Sequence, residues 1–103
     1  HPMIEHIVLF RFAPHASHAD TDAALAAFAA LPAAIPQVRD FRAGTDISPE
    51  NLAQGYTHGW LLRFDDAAAL RHYLAHPAHQ AFVAQVQPLL AQALVFDFDS
   101  ATG

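Results

Sequence analysis

The sequence predicts an α+β fold in which helices cover one face of a single antiparallel sheet. Three observations indicate this class. Four segments show the two-residue alternation that is typical of half-buried strands. Helical patterns separate the first strand from the second and the third strand from the fourth. A polar loop alone separates the second strand from the third, which gives the order β-α-β-β-α-β.

The first strand and the first helix have the clearest patterns. Residues 4–12 alternate, and the face with the bulkier side chains, among them Phe10 and Phe12, is predicted to meet the helices. The following helix shows an apolar stripe and acidic residues near its start, which suit the positive end of the helix dipole. It is predicted over Ala19–Leu31, with Ser17 or Asp20 as N-cap and with Pro32 and Pro36 as stops.

The rest of the chain contains the other three strands and a helical segment that a proline divides. Together with the first half, these elements form the ferredoxin-like split βαβ arrangement. The predicted elements are a strand over Val38–Ala43 closed by Gly44, a strand over Tyr56–Phe64, a helix capped by Asp65 or Asp66 and ending at Ala75, a helix from Pro77 to about Ala91 that Pro88 bends, and a strand over Leu94–Phe98.

A sheet that is covered on one side leaves its other face bare. We predict that this open face carries Ile7, Leu9, Leu61 and Val95. Charged residues make up only 15% of the chain, which is low for a protein with so much surface relative to its volume. We therefore expect a homodimer in which the open faces of two copies are buried together.

Length and composition exclude several classes of protein. The 103 residues suffice for one core, so residues 3–99 are interpreted as a single domain, residues 100–103 as a tail and residues 1–2 as a cloning remnant. No apolar run is long enough to span a membrane. A net charge of −5, with five arginines and no lysine, argues against nucleic-acid binding. The absence of cysteine excludes thiolate chemistry, and we expect a cytoplasmic protein.

Two strand histidines are candidates for a polar pocket. His6 and His58 lie in the first and third strands, each on the face predicted to meet the helices. Taken singly, each is more simply interpreted as a core histidine that hydrogen bonds to the backbone. Two imidazoles that face one interior near the strand ends favour a pocket instead.

The segment from Tyr73 to His79 is the most informative for chemistry. Proline disfavours the α conformation of the residue before it, so His76 is predicted to break the helix and Pro77 to begin a new one. His79 is then the third residue of that helix, where the unpaired N–H groups disfavour an imidazolium. We expect a neutral His79 that can act as a general base, with the Tyr73 hydroxyl in the same cavity. The alternative is a core tyrosine with one hydrogen bond.

Two other groups of polar residues are less favourable candidates for a functional site. His72, His76 and His79 have the spacing of one helix face, but Pro77 breaks that helix and no carboxylate accompanies them, so no metal site is predicted. Asp97 and Asp99 share a strand face and are interpreted as solvated.

Four stretches together resemble the stress-responsive dimeric α/β-barrel (Dabb) family, over residues 3–99. The resemblance implies two ferredoxin-like subunits whose sheets pack together into a barrel-like homodimer. The stretches are Met3-Ile4-Glu5-His6-Ile7-Val8-Leu9-Phe10, Gly55-Tyr56-Thr57-His58, Tyr73-Leu74-Ala75-His76-Pro77-Ala78-His79 with Phe82, and Val95-Phe96-Asp97-Phe98.

The resemblance also implies candidate site residues. Plant polyketide cyclases of the family use a tyrosine and a histidine that match Tyr73 and His79, and strand histidines that match His6 and His58 line their cavity. By that likeness, His79 removes an α-proton from a carbonyl compound and Tyr73 polarises its oxygen, without a cofactor. Trp60, Phe28 and Leu90 are expected in the wall of the substrate pocket, where the large ring of Trp60 indicates a small substrate.

Three functions remain open at this point. The first is a cofactor-independent enzyme of the cyclase, lyase or isomerase type that acts on a small carbonyl or polyketide-like compound. The second is a non-catalytic, stress-responsive dimer that binds a small apolar ligand. A haem-degrading or quinol monooxygenase on the same dimeric fold ranks last, because the His-Pro-Ala-His segment is not typical of it.

Overall fold

A computed structural model describes residues 3–100, and its elements follow the predicted order. None of the helices in this range is long and apolar enough to cross a membrane. The elements are β1 (Ile4–Phe12), α1 (His18–Ala34), β2 (Asp40–Thr45), β3 (His58–Phe64), α2 (Ala67–Ala75), α3 (Pro77–Val86), a 3₁₀ turn over Gln87–Leu89, and β4 (Leu90–Asp99).

The four strands form one antiparallel sheet in the order β2-β3-β1-β4. The central strand β1 pairs with β3 on one side and with β4 on the other, so β2 and β4 are the edges. The helices pack on one face, where the alternating side chains of β1 and β3 form the core. The predicted α+β, ferredoxin-like class is therefore confirmed.

Aromatic side chains fill much of the space between the sheet and the helices. Phe28 of α1 stacks on Trp60 of β3, with 4.6 Å between the ring centroids, and lies equally close to Phe82 of α3. Phe10 of β1 joins the same group, 4.7 Å from Trp60. Because interiors of this kind are close-packed, these rings fix the distance between α1, α3 and the sheet.

Helix α1 is longer than the sequence predicts. Ser17 caps it, since its hydroxyl accepts the Asp20 N–H at 3.1 Å. The expectation that Pro32 ends the helix was wrong, because the helix continues to Ala34. Pro32 removes one N–H donor, but the Ile35 N–H still donates to the Leu31 carbonyl and closes the last turn across the proline.

Helix α3 is shorter than predicted, and β4 is longer. The predicted continuation to Ala91 was wrong, because α3 ends at Val86 and β4 begins at Leu90. Pro88 lies in the 3₁₀ turn between them and cannot extend the α-helical ladder. Leu90 pairs with Phe12, which gives the backbone of this segment partners in the sheet instead.

The register of β4 corrects one residue of the predicted open face. Val95 lies directly opposite Val8, and directly opposite residues of antiparallel strands point to the same side. Val95 therefore belongs to the face that meets the helices, and its assignment to the open face was wrong. Because β4 is apolar on both faces, its alternation could not decide which side faces out. The open face carries Leu94, Phe96 and Phe98 from this strand.

The two ends of the described chain lie together. The Ser100 N–H donates to the Met3 carbonyl at 2.9 Å, and the Ser100 hydroxyl donates to a Glu5 carboxylate oxygen at 3.1 Å. The predicted cloning remnant and the tail beyond Ser100 lie outside the described residues. The domain boundaries drawn from the sequence therefore stay predictions.

Candidate active site

One residue, His76, ends α2 and begins α3. Its backbone is extended (φ −64°, ψ 137°), as a residue before proline prefers. Its N–H donates to the Tyr73 carbonyl at 3.1 Å, and its Nδ1 accepts the Ala78 N–H at 3.0 Å. The predicted break is thus confirmed, and Pro77 is the first residue of α3.

This corner places Tyr73 and His79 side by side. Their ring centroids are 4.6 Å apart, and the Tyr73 ring lies 6.0 Å from the ring of His6 on β1. The three residues line one cavity of about 320 Å³ between the helices, β1 and β4. Two predicted wall residues, Phe28 and Leu90, line it as well. Most of the remaining wall is apolar and includes Val8, Phe10, Leu74, Phe82, Val83, Val86, Ala93 and Val95.

His79 is held in its neutral form. Burial lowers the pKa of His79 below its ordinary value of 6.5, and the nearby His6 lowers it further. A hydrogen bond with the backbone of Leu74 acts in the opposite direction. The sequence predicts the same direction of shift but attributes it to the start of α3, whereas the main cause is desolvation by burial. An imidazole that is uncharged near neutral pH can accept a proton.

Tyr73 is a proton donor without a protein acceptor. Its side chain is buried, and among residues 3–100 nothing accepts a hydrogen bond from its hydroxyl. Burial raises the pKa of the Tyr73 phenol well above its ordinary value of 10, so the group stays protonated. The alternative of a core tyrosine with one hydrogen bond is therefore not what the structure shows. A cavity ligand with an oxygen near this group would satisfy it.

Asp97 is a site residue that the sequence did not reveal. It lies opposite His6 in the β1–β4 register, and its carboxylate accepts a hydrogen bond from His6 Nδ1. The interpretation of Asp97 as solvated is confirmed in that 37% of its side chain is exposed, but Asp97 also lines the cavity and bonds to a buried histidine. The one available signal was a carboxylate two residues after Val95 in an apolar strand. Without the β1–β4 register, the sequence does not show that this carboxylate lies opposite His6.

His58 and Trp60 lie outside the lining of this cavity. His58 is at the start of β3, where its Nδ1 is 2.7 Å from the Thr57 hydroxyl and its ring packs edge-on against Phe12. It borders a separate surface hollow of about 340 Å³ beside β2. Trp60 packs behind Phe28, so it supports the cavity wall without occupying the cavity. The structure thus does not bring His58 to the other three candidates.

The described residues contain no cluster that suits a metal. No three histidine or carboxylate side chains in residues 3–100 converge as ligands. His72 and His76 have ring centroids 6.2 Å apart, but the break at Pro77 turns His79 into the cavity.

The fold and the site together define a class of protein. It is a small α+β protein with a half-covered sheet and an apolar cavity, at one end of which a neutral histidine meets a protonated tyrosine. The chain belongs to the stress-responsive A/B barrel (Dabb) family, whose domain matches residues 4–100.

Known proteins similar to this chain differ in what their names describe. A stress-response A/B barrel domain-containing protein, HS1, from Arabidopsis thaliana is 34% identical over 92% of this chain and 87% of its own length. Olivetolic acid cyclase from Cannabis sativa is 25% identical over 92% and 94%. The solved structure of a dimeric ferredoxin-like protein of unknown function from Thermobifida fusca is 30% identical over 94% and 90%, with a TM-score of 0.80. Similar solved structures are thus described as dimeric.

Proposed function

We propose that the chain is a cofactor-independent acid–base enzyme of the cyclase or lyase type, acting on a small carbonyl compound. One observation carries the proposal: a neutral histidine, His79, lies against Tyr73, a tyrosine whose hydroxyl has no protein acceptor, in the wall of an apolar cavity. Such a pair supplies a base and a hydrogen-bond donor at neighbouring positions, which is what proton abstraction next to a carbonyl requires.

His79 acts as the base in this mechanism. In the neutral imidazole of His79, one ring nitrogen is a donor and the other carries a lone pair. That nitrogen removes a proton from the carbon between two carbonyl groups of the substrate. The electrons of the broken C–H bond move into the carbonyl group and form an enolate.

Tyr73 stabilises the charge that develops. Its hydroxyl donates a hydrogen bond to the carbonyl oxygen, which becomes negative as the enolate forms. Because the phenol has no competing acceptor among the described residues, this bond forms without breaking another. In a cyclase, the enolate carbon then attacks a second carbonyl of the same molecule, and protonated His79 returns its proton to the new alkoxide. A lyase would run the same steps in reverse.

A turnover assay that compares two site variants with two matched control variants tests this mechanism. We propose incubating linear β-keto thioesters with the protein and following loss of substrate and formation of cyclised product by mass spectrometry. His79→Ala and Tyr73→Phe should each lower turnover by about 10²-fold or more. His72→Ala, an exposed histidine of α2, and Tyr56→Phe, the other tyrosine, should retain it. Unchanged turnover in a folded His79→Ala protein would remove His79 from the mechanism.

A second candidate function is a non-catalytic protein that binds a small apolar ligand. The mostly apolar cavity wall favours it, as does the similarity to a relative that is named only for its domain and stress response. The turnover experiment above, combined with thermal melts in the presence of the same compounds, separates the two candidates. Ligands that stabilise the protein against heat but are never converted would support the binding function. Turnover that depends on His79 and Tyr73 would support the enzyme.

We also propose that two copies of the chain associate through the open sheet face. Phe96 and Phe98 leave 58% and 44% of their surfaces exposed there, and Leu94 is exposed beside them. Similar solved structures are described as dimeric. Light scattering should give twice the 11.2 kDa chain mass. Phe96→Asp should shift the protein towards monomer, whereas Ile47→Asp, an equally apolar exposed site in the β2–β3 loop, should not; a monomeric wild type would refute the interface.

A further inference from the structure

The cavity opens to solvent through a slot between α3 and the edge strand β4. On one side of it, His79, Val83 and Gln87 follow one another at four-residue intervals, which places them on one face of α3 and its C-terminal cap. Alternate residues of β4 form the other side: Ala93, Val95 and Asp97. We name the gap between these two rows the α3–β4 slot. The central residue of each row is a valine.

The lining of the cavity divides into a buried part and an exposed part. Phe28 and Val86 leave only 2% and 3% of their surfaces exposed, and Trp60 stacks on Phe28 from behind, so the inner wall is closed. Val83 and Val95 line the same cavity but leave 38% and 57% exposed. Apolar surface therefore continues from the inside of the cavity to the outside of the protein, where an apolar molecule longer than the cavity would cover it.

The slot passes beside the proposed catalytic pair. His79 belongs to the slot, and the backbone of Leu74 hydrogen bonds with it. Leu74 also lines the cavity and leaves 41% of its surface exposed, whereas Tyr73 is fully buried. A carbonyl compound that accepts a hydrogen bond from Tyr73 can thus extend one substituent towards the inner wall and the other past His79 into the slot.

The volume of the cavity sets the length at which a ligand emerges. The cavity measures about 320 Å³, and at roughly 30 Å³ for each group of the size of a water molecule it holds about ten non-hydrogen atoms. A fully buried methylene group strengthens binding about fourfold. Val83 and Val95 can cover about half of each methylene in the slot, which gives about twofold for each one.

We propose that the α3–β4 slot is a binding subsite for the alkyl or acyl chain of a ligand, and that the protein takes chains longer than its cavity holds. The inference rests on the proposed function in one respect, the carbonyl group at Tyr73. The slot is continuous with the cavity, and for this reason its occupant is the ligand and not a second protein. The proposed dimer leaves the slot open, since Val95 lies opposite Val8 on the helix side of β4.

A series of methyl ketones tests the subsite by binding alone. Titration calorimetry or ligand-observed NMR with the wild type should show affinity rising about fourfold per methylene from 2-hexanone to 2-nonanone, which fills the cavity. From 2-nonanone to 2-dodecanone the rise should continue at about twofold per methylene, or about eightfold in total. A chain that leaves the cavity for water would gain nothing over the same range.

Polar replacements in the slot should remove this second rise. In the double variant Val83→Asn and Val95→Thr, which keeps the approximate size of both side chains, the affinity ratio of 2-dodecanone to 2-nonanone should fall to about twofold or less. The matched control is Ile47→Thr with Leu52→Asn, two exposed apolar residues of the β2–β3 loop that do not line the cavity. It should retain the eightfold ratio.

The wild type provides a test that does not depend on folding of the double variant. With 2-dodecanone bound, NOEs should connect the chain to the methyl groups of Val83 and Val95. Equal affinities for 2-nonanone and 2-dodecanone, a second rise that survives the double variant, or no binding of any ketone would overturn the inference. Equal affinities in a protein that still converts β-keto thioesters would refute the subsite and leave the proposed function standing. Slot-dependent binding in a protein without turnover would do the reverse.

Discussion

Replacing Tyr73 with phenylalanine should make the protein more stable and less active at once. The aromatic ring packs between Phe64, at 4.9 Å, and His79, at 4.6 Å, and phenylalanine retains both contacts. The hydroxyl is buried and has no acceptor among residues 3–100. Removing the hydroxyl therefore removes a cost of folding and leaves the packing intact.

The size of the effect follows from the buried hydroxyl. An unsatisfied buried donor costs about 1–3 kcal/mol, and we take the lower end here because Tyr73 lines a cavity. For a domain of this length, about 1 kcal/mol raises Tm by roughly 4–8 °C. Thermal unfolding followed by circular dichroism, at one protein concentration for both variants, measures this shift. Turnover of the β-keto thioesters is measured on the same preparations.

Tyr56→Phe is the matched control, because Tyr56 is only half-buried in the loop before β3. It should shift Tm by no more than a degree or two. A fall in Tm for Tyr73→Phe would mean that the hydroxyl has a structural partner, and the assignment of a free donor for substrate would be refuted. A rise in Tm without loss of activity would show that the hydroxyl is unpaired but not catalytic.

Three further predictions concern pH, the helix corner and a loop glycine. The pKa of His79 is lower in the folded chain than in the unfolded chain, so stability should begin to fall as the pH drops below about 6.5, and turnover should fall at a lower pH, through the folded-state pKa of His79. His79→Gln should flatten this part of the stability profile in a series of thermal melts. His76→Ala should cost about 1 kcal/mol in chemical denaturation, because it removes the cap of α3, whereas His76→Asn should retain most of it. Gly55→Ala should cost about 1 kcal/mol or more, because its φ is +83° and a Cβ would lie 2.8 Å from Arg11, while Gly44→Ala, with open space around it, should change denaturation little.

Local chemistry made much of the fold predictable. The strand of residues 4–12, the cap at Ser17 and the break at His76 all depend on neighbours within a few residues, and the structure has each of them. Errors arose where a proline was weighed without its surroundings. Pro32 lies inside a helix that the tertiary packing of Phe28 and Leu31 holds in place, so the usual penalty does not end that helix.

In the candidate site, too, contacts between near neighbours in the sequence are predictable, whereas contacts that depend on strand pairing are not. Tyr73 and His79 lie on either side of one helix corner, so their spacing in the sequence predicts their proximity. Asp97 meets His6 only through the pairing of β4 with β1, which joins positions 91 residues apart. His58 shares a sheet face with His6, but it lies at the opposite end of the β1–β3 pairing, beside Phe10. Period-two alternation fixes the face of a side chain but not its position along the sheet.

His76 both ends α2 and begins α3, and this limits the changes in chain length that the corner can tolerate. Since α2 stops and α3 starts at the same residue, the corner contains no spare loop that could absorb a change in chain length. One inserted residue between Tyr73 and Pro77 would rotate the tyrosine by about 100° relative to His79 and carry its hydroxyl out of the cavity. Insertions and deletions here should therefore be far more damaging than the same changes in residues 46–57, and a scan of single-residue insertions along the chain would show a sharp minimum of tolerance at this corner.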